Sequence, residues 1–93
     1  MRTATIQIGN SDNKLTQGEW ANFVAEVAQV ISEFTFRIHF SGGSDWDAPW
    51  QNACWVCEVH DDKVARLKEW LGVRRRNYRQ ESVAITFGTT EFV

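Results

Sequence analysis

The chain has 93 residues, 43% of them hydrophobic and 24% charged, with a formal net charge of -2. That balance suits one globular domain over 1–93 and argues against disorder, and a chain this short has little room for a deep active-site cavity. No apolar run approaches the length needed to cross a bilayer, and Met1-Arg2-Thr3 leads straight into a strand pattern, so neither a membrane span nor a signal peptide is expected.

Ala4, Ile6 and Ile8 alternate with Thr3, Thr5 and Gln7, the period of a strand with one buried face. Turn chemistry follows in Gly9-Asn10-Ser11-Asp12-Asn13. Thr16 and Glu19 form a capping box, with Leu15 and Trp20 placed for a hydrophobic staple. Trp20, Phe23, Val24, Val27, Ile31 and Phe34 recur at spacings of three and four, which predicts an amphipathic helix over 16–34. Phe36, Ile38 and Phe40 alternate with Thr35, Arg37 and His39, giving a second strand over 35–40 with the apolar set inward. Residues 41–53 lack periodicity and hold two glycines and the only proline, so they read as a long hairpin loop. A third strand follows over 54–60, with Trp55, Cys57 and Val59 on one side. Asp61 or Asp62 can cap a second helix whose stripe is Val64, Leu67 and Leu71, and Gly72 suits its stop. The segment 73–81 reads as either more helix or a loop. Val83, Ile85 and Phe87 mark a last strand, and 89–93 is a short tail.

The expected fold is therefore α+β, in the order β-α-β-β-α-β. That is the ferredoxin-like arrangement, a four-stranded antiparallel sheet with two helices on one face. The other face would show Thr5, Gln7, Arg37, His39, Val56, Glu58, His60 and Thr86.

Four constellations could carry chemistry. Cys54 and Cys57 make a C-x-x-C near His60, but residues three apart on a strand point to opposite faces and no second pair completes a zinc site. Cys57 reads as a core residue and Cys54 as a semi-exposed thiol, so no metal or other cofactor is expected. Two cysteines imply no disulfide framework, which fits a reducing cytoplasm. Arg37, His39, Glu58 and His60 share the open face, where Arg37 and Glu58 could pair across strands. An acid-base or metal site there is the weaker reading, and a solvated sheet face the simpler one.

Trp46 and Trp50 stand outside every periodic pattern, with Asp45 and Asp47 flanking the first. Leaving a tryptophan ring in water forfeits burial energy. Either the loop folds back over the core, or its rings are binding anchors. Finally, Arg74, Arg75, Arg76 and Arg79 surround Tyr78, in a chain whose first 60 residues hold three bases against seven acids. Arginine forks match phosphate and carboxylate alike, and Tyr78 could stack on a base. Short basic runs arise often by chance, however, and the open sheet lacks the stacking aromatics of RNA-binding sheets.

The stretches Ile8 to Gln17 and Asp47 to Trp55 are similar to those of small uncharacterised proteins encoded by phages of actinobacteria. The resemblance implies a protein made in the cytoplasm of an infected bacterium. Many such proteins bind and disable a host protein, and no site residues transfer from it.

These readings converge on a non-enzymatic protein-protein interaction module, plausible as a phage-encoded modulator of a host protein. Trp46, Asp47 and Trp50 would anchor the partner, and Arg74, Arg75, Arg76, Tyr78 and Arg79 would steer it. A homodimer is a related expectation. Nucleic-acid binding through the arginine segment is the first alternative, and a small enzyme on the open sheet face the second.

Overall fold

The computed structural model describes residues 1–10 and 12–93; Ser11, inside the turn expected over 9–13, lies outside the described residues. The elements are β1 (Arg2–Gly9), α1 (Gln17–Phe34), β2 (Arg37–Gly43), β3 (Asn52–Val59), α2 (Val64–Asn77) and β4 (Ala84–Gly88). A 3-10 turn, Asp61–Lys63, leads into α2. The strands form one sheet in the order β2-β3-β1-β4, and every neighbouring pair is antiparallel.

Helix α1 starts as its sequence dictates. The Thr16 hydroxyl accepts from the Glu19 N–H at 3.2 Å, and the Glu19 carboxylate accepts from the Thr16 N–H at 3.0 Å. Together these satisfy two backbone donors that the first turn would otherwise leave open. The buried stripe of α1 is Phe23, Val27, Val30 and Ile31, and that of α2 is Val64, Leu67 and Leu71. Both stripes join Ala4, Ile6 and Ile8 of β1 and Ala53, Trp55, Cys57 and Val59 of β3 in one core. The two central strands thus sort their side chains by alternation as expected.

Helix α2 departs from its expected ends. Neither Asp61 nor Asp62 caps it, because the 3-10 turn intervenes and Lys63 occupies the cap without a side-chain bond. Asp61 instead meets Arg2, with Nε to Oδ1 at 3.4 Å. Gly72 does not stop the helix, which runs on through Arg74, Arg75 and Arg76 to Asn77. The stop falls at Arg79, which takes a left-handed φ of 57°. The Gln80 N–H donates to the Arg75 carbonyl and the Arg79 N–H to the Arg76 carbonyl, at 2.9 and 3.1 Å. This is a Schellman closure with an arginine where glycine usually sits.

The largest correction concerns β2. It begins at Arg37 and extends to Gly43, so the connecting loop is 44–51 and not 41–53. Its pairing with β3 shifts by one residue between Ile38 and Phe40. Cross-strand partners share a face, so the β3 residue opposite fixes which way each β2 side chain points. Ile38 opposes Cys57 on the helix side, but Phe40 opposes Val56 on the open side. Beyond the bulge, the helix-side positions are Ser41 opposite Trp55 and Gly43 opposite Ala53. All of β2 is exposed, with Phe40 at 55%, and so is Phe36 just before it, also at 55%. An inserted residue reverses strand parity, and the expected inward set is lost with it.

Candidate binding surface at the edge strand and tryptophan loop

The loop 44–51 is short, and its backbone is held at several points. At its base, the Ser44 N–H donates to the Asn52 carbonyl and the Asn52 N–H to the Ser44 hydroxyl, both at 3.0 Å. Within it, the Ala48 N–H donates to the Asp45 carbonyl at 3.1 Å. The strongest hold comes from Gln51, which is 4% exposed. Its amide nitrogen donates to the Gln17 side-chain oxygen at 2.7 Å and to the Trp46 carbonyl at 2.9 Å. Its amide oxygen accepts from Gln17 and from Asn10, both at 3.1 Å.

Asn10 is equally buried and extends this network. Its side chain accepts from the Leu15 N–H at 3.0 Å and donates to the Leu15 carbonyl at 3.1 Å. Its backbone N–H donates to the Gln51 carbonyl at 2.9 Å. Three amide side chains thus tie the β1–α1 connection to the β2–β3 loop. Asn10 and Gln51 are buried, and they are fixed in place because every partner they lose leaves a desolvated group. In the sequence Asn10 shows only as turn chemistry, and nothing there marks Gln17 or Gln51.

The rings carried by this fixed loop stay in water. Trp46 is 83% exposed and Trp50 is 64% exposed. Next to them, a groove of about 560 Å³ runs between α1 and β2, lined by Trp20, Val24 and Ala28 on one side and Ser41, Gly43 and Trp46 on the other. The groove exists because the bulge puts Ser41 and Gly43 on the helix side, where no large side chain fills the space. Gly43 cannot be enlarged, since a Cβ there would lie 2.4 Å from the Asn52 carbonyl oxygen. On the open face the Phe40 ring lies over Gly42, 2.8 Å from where a Cβ would stand.

The open-face cluster assembles only in part. His39, the inserted residue of the bulge, meets Glu58 with Nε2 to Oε1 at 3.5 Å. Arg37 lies opposite Glu58 in register, yet no ion pair joins the two, and its guanidinium sits 5.6 Å over the Phe36 ring. His60 packs in a T-shaped arrangement with Phe36, ring centroids 5.2 Å apart. Cys54 and Cys57 occupy opposite faces, and Cys57 is sealed in the core, where burial pushes its thiol up to about 11. Among the described residues, no three His, Cys, Asp or Glu side chains cluster closely enough to hold a metal ion.

The arginine segment is drawn onto α1. Arg79 donates to Glu19 at 3.0 Å, and Arg74 lies 3.6 Å from Glu26 and 5.7 Å from the Trp70 ring centroid. The backbone bond from Thr16, then the Arg79 guanidinium, holds the Glu19 carboxyl below its usual range. The Tyr78 hydroxyl donates to Glu26, and its ring packs on Phe23 at 4.9 Å. That bond, then burial, pushes the phenol up to about 12. Arg75 closes on the Gln80 carbonyl at 3.0 Å, and Arg76 alone of the segment's four arginines is left facing solvent without a partner among the described residues.

No protein-family model matches the chain, and no curated protein matches it. Among the described residues no helix is long and apolar enough to cross a membrane.

Proposed function

We propose that this chain is a non-enzymatic protein-protein interaction module that presents Trp46 and Trp50 as anchors for a partner. One observation carries the reading: both rings are exposed on a loop whose backbone is pinned by buried side-chain amides. Holding a loop rigid while leaving two tryptophans in water lowers the ordering cost of binding, and tryptophan is the side chain most enriched at interface hot spots. Asp45 and Asp47 flank the first anchor, so a partner with basic residues around an apolar socket fits best.

The resemblance to actinobacterial phage proteins supports a finer reading, a phage-encoded modulator acting on a host protein in the bacterial cytoplasm. For the fold, the order β2-β3-β1-β4 with a helix after β1 and another after β3 supports membership of the ferredoxin-like class. Nucleic-acid binding draws less support, because Arg74, Tyr78 and Arg79 are engaged by Glu19 and Glu26. The reading is tested by affinity capture from a bacterial lysate with the wild-type chain and a Trp46→Ala/Trp50→Ala variant. A partner held by the wild type and lost by the folded variant supports it. Equal capture by both removes the loop from the mechanism.

A further inference from the structure

A strand at the edge of a sheet offers unpaired backbone groups to any other strand, and proteins usually protect such edges with lysine, proline, bulges or a covering element. Strand β2 is an edge of this sheet, and neither the strand nor its flanking residues Phe36 and Ser44 include a lysine or proline. Its one protection is the bulge. The Ser44 N–H points inward, to the Asn52 carbonyl, so alternation turns the amides of Ser41 and Gly43 toward the empty side.

The two halves of this edge differ in a complementary way. The first half projects Phe36, Ile38 and Phe40, with one cation, Arg37. The second half is nearly bare at Ser41, Gly42 and Gly43, borders the groove under α1, and leads to Asp45 and Asp47. Among the described residues, neither Arg37 nor either aspartate has an ion-pair partner within 4 Å.

We infer that the chain binds a second copy of itself, with β2 pairing antiparallel to β2 about a twofold axis near Ser41. Antiparallel pairing brings the Phe36–Ile38 end of each strand alongside the Ser44–Trp46 end of the other. Ile38 is on the helix side, so in each copy it faces the other's open groove. Arg37 meets the Asp45 and Asp47 end, and Phe40, whose ring lies over Gly42 of its own strand, comes beside Gly42 of the other. Each contact is made twice, which is the property an isologous interface requires. The two sheets become one of eight strands, with all four helices on the same side. An unrelated extended peptide could also use the edge. The second copy is the better occupant because one strand carries both the projecting side chains and the hollow, and both the cation and its counter-charges. The inference rests on the binding-module reading and names one partner for that same surface.

Sedimentation equilibrium and amide hydrogen exchange on the full chain test this. The expected mass at high concentration is twice 10.7 kDa. The Ser41 and Gly43 amides should exchange more slowly there than on dilution. Arg37→Asp alone, or Asp45→Arg with Asp47→Arg, should weaken association about tenfold or more, and combining all three should restore it. A wild-type chain that stays monomeric overturns the inference. So does a dimer that is indifferent to the charge reversals, or one that leaves the Ser41 and Gly43 amides unprotected. The anchor reading fails on a different result, capture that survives loss of both tryptophans, so either can fall alone.

Discussion

The buried amide network gives the most direct test of how the tryptophan loop is held. Replacing Gln51 with alanine removes four hydrogen bonds, two to Gln17, one to Asn10 and one to the Trp46 carbonyl. Not all of them count equally. Gln17 is exposed, so its amide recovers water. Asn10 keeps its bond to the Leu15 carbonyl. With about 0.5–1.5 kcal/mol net for each bond that is not replaced, the expected loss is about 1–3 kcal/mol. Asn10→Ala should be worse, because it strands both the N–H and the carbonyl of Leu15 at a buried position. The two losses should add to less than their sum, since both remove the Asn10–Gln51 bond. Urea denaturation followed by circular dichroism gives the energies, and hydrogen exchange across 44–51 reports the loop. If Gln51→Ala shifts stability by less than about 0.5 kcal/mol and leaves loop exchange unchanged, the network is not what fixes the anchors.

Four further outcomes follow from the packing. Trp46→Ala with Trp50→Ala should change folding stability by no more than about 0.5 kcal/mol, measured by thermal unfolding, because both rings are already in water. Phe23→Ala should cost about 3–5 kcal/mol in the same assay, since the ring is fully buried and packs on Trp20 and Tyr78. Gly72→Ala should add about 0.5–1 kcal/mol, as a Cβ in mid-helix would meet only the movable end of Arg76 at 3.4 Å. Tyr78 and Cys57 both bind their protons more tightly folded than unfolded, at about 12 against 10.0 and about 11 against 9.0. Their contribution is therefore complete below the unfolded values and is lost as pH climbs from there through the folded ones. Alkaline denaturation should begin in that window, and Tyr78→Phe should remove part of the slope between the two phenol values.

Helix α1 was legible almost residue by residue, because its cap and stripe are local signals that agree with the tertiary contacts. The faces of β1 and β3 were legible for the same reason: both strands are central and obey strict alternation. The end of α2 was not. Gly72 is an ordinary stop signal, but the contacts of Arg74, Tyr78 and Arg79 with Glu19 and Glu26 favour one more turn, and those partners lie about fifty residues away in the chain. The Asn10–Gln51 network was hidden likewise, since a buried amide and an exposed one look the same in a sequence.

The error in β2 has a different origin and bears more on function. Phe36, Ile38 and Phe40 alternate cleanly, and the pattern alone assigns all three to the core. One inserted residue at His39 splits the set, sending Phe40 to the open face and leaving Ser41 and Gly43 on the helix side. Alternation in an edge strand is weak evidence of burial, because such a strand has a partner on one side only and its helix-side residues face α1 only if the helix reaches that far. Here α1 does not close over β2, and a groove stands between them. The apolar side chains of β2 therefore add little to the folded monomer and remain available to whatever lies alongside. That places the three exposed apolar residues of the edge and the two exposed tryptophans on one continuous border of the sheet. Trimming Phe36 or Phe40 to alanine should then spare stability while weakening association, the reverse of what the same change does at Phe23.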